Sequence, residues 1–251
     1  MPSTFIGIDL AWQTDKNHSG IMVMEGDKTG AEIISFSKGI TNLEAVFNFI
    51  KSYKTSNTII AIDAPLIIKN QTGQRPCEKL IGKKFGSRHA SAHSTNLDRY
   101  PDAGSVKLAN LLEKEGFIHN PSEDFFKKSS WFFEVYPHPA QIILFNLNNI
   151  IKYKNVRRVD EKRNGLRILR NYIKEKMLKG NPSIRQNDKL HGILNLDLQT
   201  FIGKDLKQYE DVIDALICAY LALFYWAWGT DKNEMIGDLE TGYIINPTHP
   251  L

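Results

Sequence analysis

The sequence predicts an α/β protein, a mixed β-sheet flanked by helices and formed as a single domain over residues 1–251. Three observations predict it. Short apolar runs rich in β-branched residues recur in the first quarter of the chain, a segment of helical period separates them, and a helix apolar nearly all round lies near the C-terminus. Residues 5–11, 19–25 (SGIMVME) and 31–36 (AEIISF) read as three strands, with "GDKTG" between the second and third short enough for a hairpin. In "TNLEAVFNFIKSY" Thr41 and Glu44 have capping-box spacing, and Leu43, Val46, Phe47, Ile50 and Tyr53 recur at helical period, which predicts a helix over 42–54. The apolar run 58–63 is a fourth strand, and the intervening helix lets it return parallel to the first. A fifth strand, "WFFEVY", is broken by Pro137 and Pro139, and "AQIILF" begins a helix. A basic amphipathic helix is predicted over about 160–177 and the buried one over about 208–228. Residues 64–130 exceed what a crossover needs; they hold the polar, aperiodic "GKKFGSRHASAHSTN" and a helix in "DAGSVKLANLLEKEGF" stopped at Gly116.

Composition narrows the classes. With 42% hydrophobic and 24% charged residues the chain is an ordinary globular protein, and a net charge of +4 permits a polyanionic partner without demanding one. Two cysteines, Cys77 and Cys218, lie far apart and outside any C-x-x-C spacing, which fits a reducing, cytoplasmic setting and argues against a disulfide framework or a thiolate zinc site. No signal segment is read at the N-terminus. The apolar segment 212–228 contains Asp214 and is shorter than the roughly 20 residues of a membrane span, so no membrane is expected.

The chemistry is read from carboxylates in apolar surroundings. Asp9 ends "GID", Asp63 ends "TIIAID", and Glu134 sits in "WFFEVY". Strands this apolar are buried on both faces, where an unpaired carboxylate costs several kcal/mol. If the first, fourth and fifth strands run parallel and adjacent, all three acids fall toward one sheet edge, where the crevices of such sheets lie. Asp211 and Asp214, at i and i+3 in "YEDVIDALICAY", share one helix face. Taken singly these are capping acids, Asp63 before Ala64 and Pro65 and Asp211 near a helix start. Together they repel one another unless cations intervene. Oxygen-only ligands suit Mg²⁺ or Mn²⁺, and two such ions roughly 4 Å apart can activate water and stabilise the leaving oxygen in phosphodiester cleavage.

The series "GIDLAW", "AIDAPL", "RPCEKL", "EVYPHPA", "KYK" and "EDVIDAL" resembles an uncharacterised family, domain of unknown function 429, and through its acidic motifs the Holliday-junction-resolvase-like branch of the ribonuclease H-like superfamily. The resemblance runs over about 5–228. It implies a ribonuclease H-like five-stranded mixed sheet, three strands antiparallel and two more parallel, with a core of 1–63 and 130–251 and a large insertion at 64–130. It also implies a divalent-metal-dependent nuclease acting on DNA or RNA, with Asp9, Asp63, Asp211 and Asp214 catalytic and binding Mg²⁺ or Mn²⁺; Glu134, outside the usual acidic set of that superfamily, is a fifth catalytic candidate from its place in an apolar strand that points to the same edge. Arg75 and Lys154 match its motifs as phosphate contacts. The alternatives are a nucleotide-dependent phosphotransferase of the actin-like ATPase type, which needs two copies of the fold and glycine-rich phosphate loops, and a catalytically silent nucleic-acid-binding module.

Other residues complete the reading. His138, just past a strand end on the functional edge, is a candidate for substrate contact or proton transfer. His89 and His93, at i and i+4 in a loop without a third ligand, read as surface residues, and Ser91 and Ser94 lack a base. Between Lys152 and Lys176 ten Lys or Arg face three acids, a net +7. Leu166, Leu169, Ile173 and Met177 mark the apolar face there, leaving Arg163, Arg167, Arg170 and Lys174 as a stripe for a nucleic-acid backbone. The loop carrying Lys83, Lys84 and Arg88 is the second candidate for that track.

Overall fold

The computed structural model describes residues 2–14, 17–119, 121, 130–154 and 156–251. β1 (Ser3–Asp9), β2 (Ser19–Asp27) and β3 (Gly30–Ile40) form an antiparallel meander. Its second turn closes over Lys28 and Thr29, where the Thr29 N–H donates to Asp27 Oδ1 at 2.8 Å. α1 (Leu43–Ser52) starts at Asn42, whose side chain accepts from the Ala45 N–H at 2.7 Å; the cap is Asn42 and not Thr41. β4 (Thr58–Asp63) then returns parallel to β1, and β5 (Trp131–Glu134) lies parallel beyond it. β6 (Ser183–Ile184) adds a sixth strand beside β3, giving the order β5-β4-β1-β2-β3-β6. Two residues are too few to leave a periodic signal, which is why the sequence predicts five strands.

Side-chain alternation assigns the faces. Phe5, Ile59, Ala61, Trp131 and Phe133 enter the larger core, and Ile6, Ile8, Ile60, Ile62 and Phe132 the other. The larger core is covered by α4 (Pro137–Leu144), by α5 (Val159–Tyr172) with its π-helical extension Ile173–Met177, by α6 (Asp188–Leu194) and by α7 (Gly203–Trp228). α1 and α3 (Gly104–Lys114) cover the opposite face. Leu108, Ala109 and Leu112 of α3 are core residues, so the described part of the 64–130 segment is integral to the domain. Residues 120 and 122–129 of that segment lie outside the described ones. α2 (Pro76–Phe85) packs with a C-terminal hairpin, β7 (Asn233–Asp238) and β8 (Gly242–Pro247), which the sequence reading does not foresee.

α7 begins five residues before its expected start, and by length and composition alone it is apolar enough to cross a membrane, but 78% of that window is buried within the protein. Two glycines set how closely it lies on the sheet. A Cβ at Gly7 would overlap the α7 backbone at Ala215 and Ala219, and one at Gly20 would overlap the Asp211 carbonyl. Gly20 pairs with Asp9 across β1 and β2. The glycine of "GID" therefore brings a helix backbone down onto the strand two residues before its aspartate.

Candidate active site

Asp9 and Asp63 are register partners at the C-terminal ends of the parallel strands β1 and β4. Alternation directs both to the α7 face, because each shares parity with Phe5 and Gly7 or with Ile59 and Ala61. α7 presents Asp211 and Asp214 to them, and both are buried, as is their neighbour Glu210. Four of the five acids expected to converge do so. Glu134 is the exception and is corrected here: it pairs with Ile62 and not Asp63, so the one-residue offset turns it to the other face. There the Arg75 guanidinium holds it with two hydrogen bonds, Nη1 to Oε2 at 2.9 Å and Nη2 to Oε1 at 2.6 Å. Arg75 also donates from Nε to Glu78 Oε1 at 2.8 Å and from Nη1 to the Ile67 carbonyl at 3.1 Å. Only 2% exposed and with four of its five N–H donors taken by Glu78, Glu134 and Ile67, Arg75 organises the chain after β4.

Lysines sit among the converging acids. Lys154 Nζ lies 2.8 Å from Asp214 Oδ2 and 4.0 Å from Asp63 Oδ2. Lys207 Nζ lies 2.6 Å from Asp211 Oδ1 and 2.8 Å from Glu210 Oε1, and Lys162 pairs with the other Glu210 oxygen. Tyr153, fully buried, donates its hydroxyl to Asp214 Oδ1 at 2.7 Å and accepts from Gln141 Nε2 at 2.9 Å. Asp211 Oδ2 is buried without a hydrogen-bond partner.

The balance of burial and charge is legible in the ionisations. Burial pushes the Asp63 carboxyl up to about 8; Lys154 opposes this, and Asp9, Asp214 and, across the strand, Glu134 add to it. Burial and then Asp9 raise Asp211 to about 7, against Lys207. Burial raises Asp214 to about 6, with Lys154 pulling down. Burial works against the Lys154 ammonium, but Asp214, Asp9 and Asp63 together hold it above the ordinary lysine range. The acids thus outnumber the cations that face them, and among the described residues no group of three or more His, Cys, Asp or Glu side chains is drawn together as a metal site.

Two cavities border this edge. One, about 310 Å³, is lined by Asp9, Trp12, His18, Lys207 and Asp211. The other, about 110 Å³, is lined by Trp12, Asp63, His93, Tyr136 and the Arg75 network. Trp12 borders both and packs edge-on against Tyr100, with centroids 4.6 Å apart. His138 lies parallel to Tyr136 at 5.8 Å, and its Nε2 is buried without a partner. Burial, then Lys154, lowers its pKa to about 3, so the ring is neutral at pH 7 and brings no charge to a phosphate.

The arginine stripe is the second correction. Arg163 donates to Asp160 at 3.0 Å and to the carbonyls of Gln199 and Phe201 at 2.9 and 3.0 Å. Arg170 donates to the Leu196 carbonyl at 2.7 Å and lies over the Tyr209 ring. These two bind the α6–α7 connection, and only Arg167, half-buried, has no hydrogen bond or ion pair among the described residues. Sequence reasoning missed Lys207, which its i,i+4 spacing from Asp211 could have supplied, Glu210, which stands i,i+3 from that lysine, and Tyr153, the middle residue of "KYK".

Fold and site together define an α/β protein with a lysine-interleaved carboxylate cluster at the C-terminal edge of its parallel strands. The chain belongs to the family described as "Protein of unknown function (DUF429)", whose model matches residues 7–233. A search among curated proteins finds no match.

Proposed function

We propose that this protein is a divalent-metal-dependent nuclease of ribonuclease H-like fold. The observation that carries the proposal is Asp211, whose buried Oδ2 receives no N–H or O–H donor and whose carboxyl is kept hard to ionise by burial and then by Asp9. An all-oxygen donor set suits Mg²⁺ or Mn²⁺ better than a softer metal. Support for the fold comes from the order β3-β2-β1-β4-β5, the first three antiparallel and the last two parallel to β1. The described residues hold one such sheet, whereas an actin-like phosphotransferase needs two copies.

Asp9, Asp63, Asp211 and Asp214 would hold the cation, and would have to draw closer than they stand here, where among the described residues no three acids form a metal-ready group. When bound, it supplies a Lewis acid at the phosphoryl oxygens and lowers the pKa of coordinated water. The chain itself does the rest. Tyr153 fixes which oxygen of Asp214 faces the edge, because Oδ1 is taken by its hydroxyl. Lys154 and Lys207 favour the ionised carboxylates that a cation requires. Trp12, between the two cavities, offers a ring against which a base can stack.

The test is incubation with single-stranded, duplex, hybrid and branched DNA and RNA in Mg²⁺, Mn²⁺ or EDTA. Asp9→Asn and Asp63→Asn are each expected to abolish metal-dependent cleavage while remaining folded. Unchanged cleavage in both variants sinks the assignment.

A further inference from the structure

The surface that meets the Lys154 side of the acidic cluster is cationic, and it is not the arginine stripe of α5. A cavity of about 660 Å³ is lined by His89, Lys152, Lys154, Arg157, Arg158 and Glu161, together with Ile150 and Val156. His89, Lys152, Arg157 and Arg158 are exposed. Arg158 meets only Glu161, at 3.9 Å, and among the described residues neither Lys152 nor Arg157 has an ion pair or hydrogen bond from its side chain. An ordinary solvated face intersperses both signs. This one sets four Lys or Arg side chains and a histidine against a single acid.

The backbone at residues 150–153 is held in place. The Ile150 N–H donates to the Arg88 carbonyl at 3.2 Å, tying the segment to the loop bearing His89. Gly165 of α5 packs against the Lys152 carbonyl so closely that a Cβ there would overlap it. Tyr153 points inward to Asp214, while Lys152 before it is exposed and Lys154 after it reaches Asp63 and Asp214. The cavity and the cluster are thus joined through one side chain.

We propose that the phosphodiester backbone of a nucleic acid lies along His89, Lys152, Arg157 and Arg158 and enters the carboxylate cluster at Lys154. The proposal rests on the nuclease reading only for the position of the scissile phosphate; binding along the track does not require cleavage. Each neutralised phosphate releases counterions, so log K falls with log salt by roughly 0.7 to 0.9 per contact.

The experiment measures binding of fluorescent single-stranded DNA and RNA of equal length to the full chain in EDTA across a salt series. Lys152→Ala/Arg157→Ala/Arg158→Ala is compared with a charge-matched control, Lys114→Ala/Lys179→Ala/Lys189→Ala, whose residues are exposed elsewhere. The track variant is expected to weaken binding at least tenfold at low salt and to flatten the slope by roughly 2 units. The control is expected to keep the parental slope, and thermal midpoints confirm that both fold. Equal losses in the two variants, or none in either, overturn the proposal. So does a polyglutamate of matched charge that competes as well as the oligonucleotides. The DNA and RNA arms identify which backbone is preferred. Cleavage of the same strands in Mn²⁺ is scored separately, so a nuclease that fails to use the track and a track on a protein that does not cleave give different results.

Discussion

On one face of the β4–β5 edge Arg75 closes a buried network; on the other, the carboxylates of β1, β4 and α7 leave theirs open. Both rest on the same strand ends; Arg75, Glu78 and Glu134 are buried, as are Asp211 and Asp214, while Asp9, Asp63 and Lys154 are partly exposed. In the first, one guanidinium satisfies Glu134 and Glu78, and the remaining carboxylate capacity takes the N–H groups of Leu66, Arg75 and Thr95 at 2.9 to 3.0 Å. In the second, Asp63 is pushed up to about 8 and Asp211 Oδ2 has no partner. A network this complete rigidifies a loop and has little left to offer a ligand. The open cluster is costly to the empty fold, which is what a site built to receive a cation should be.

The largest expected effect breaks the closed network. Arg75→Met leaves Glu78 and Glu134 buried without a cation, and losing one partner of a buried pair costs about 3–5 kcal/mol. Urea denaturation should show that loss, with Glu134→Gln costing less because Arg75 keeps Glu78. A loss under about 1 kcal/mol would mean that the network is solvated and that the contrast between the two faces is false.

The next effect is on how the open cluster is assembled. Gly7→Ala places a methyl against the α7 backbone, and overpacking of this kind costs about 1–3 kcal/mol. It should also move Asp211 and Asp214 away from Asp9 while leaving the Arg75 network intact. Loss of cation-induced stabilisation in a variant that remains folded is the expected signature. A variant with the parental thermal midpoint, with and without Mn²⁺, would show that the close approach of helix and strand is not what sets the site.

What the sequence made legible follows from how local each signal is. Asp9 and Asp63 interrupt apolar runs, and Asp211 and Asp214 share a helix face, so one period or one interruption identifies each. Glu134 gives the same local signal as Asp63, yet it faces the other way, because its orientation depends on the register of two strands separated by 67 residues of intervening sequence. Arg163 and Arg170 likewise have the period of an exposed stripe, but the α6–α7 connection, whose pattern is weak, folds back to cover them. β6 and the β7–β8 hairpin are short, and their partners are set by tertiary packing more than by propensity.

A pH series sharpens the contrast between the faces. The folded-state pKa of Asp63, about 8, and of Asp211, about 7, lie above their ordinary value of 3.8. The folded protein therefore binds protons that the unfolded chain has released, and stability falls as pH rises through those folded values. Below about 6.5 the buried neutral His138 and His119, both depressed by burial, act in the opposite sense, so the informative window is 6.5 to 8. Metal-free protein should lose stability across it, and Asp63→Asn should flatten the slope by up to about one proton. Parallel curves for the two proteins would place Asp63 in solvent.

The smallest expected effect isolates a single hydrogen bond on the open side. Tyr153→Phe removes the donor to Asp214 Oδ1 and the acceptor for Gln141, which is 1% exposed and has no solvent to replace it. Loss of a buried pairing of this kind costs about 1–2 kcal/mol. Because the hydroxyl also fixes Asp214, the variant should weaken Mn²⁺ binding, read by calorimetric titration, by more than its stability loss alone would cause. Tyr153→Phe/Asp214→Asn should then show no further loss of Mn²⁺ affinity beyond Asp214→Asn, since Tyr153 acts on the cation only through that carboxylate. Additive losses in the double variant would place Tyr153 in contact with the cation or its water, and the open cluster would extend one residue further than the carboxylates that define it.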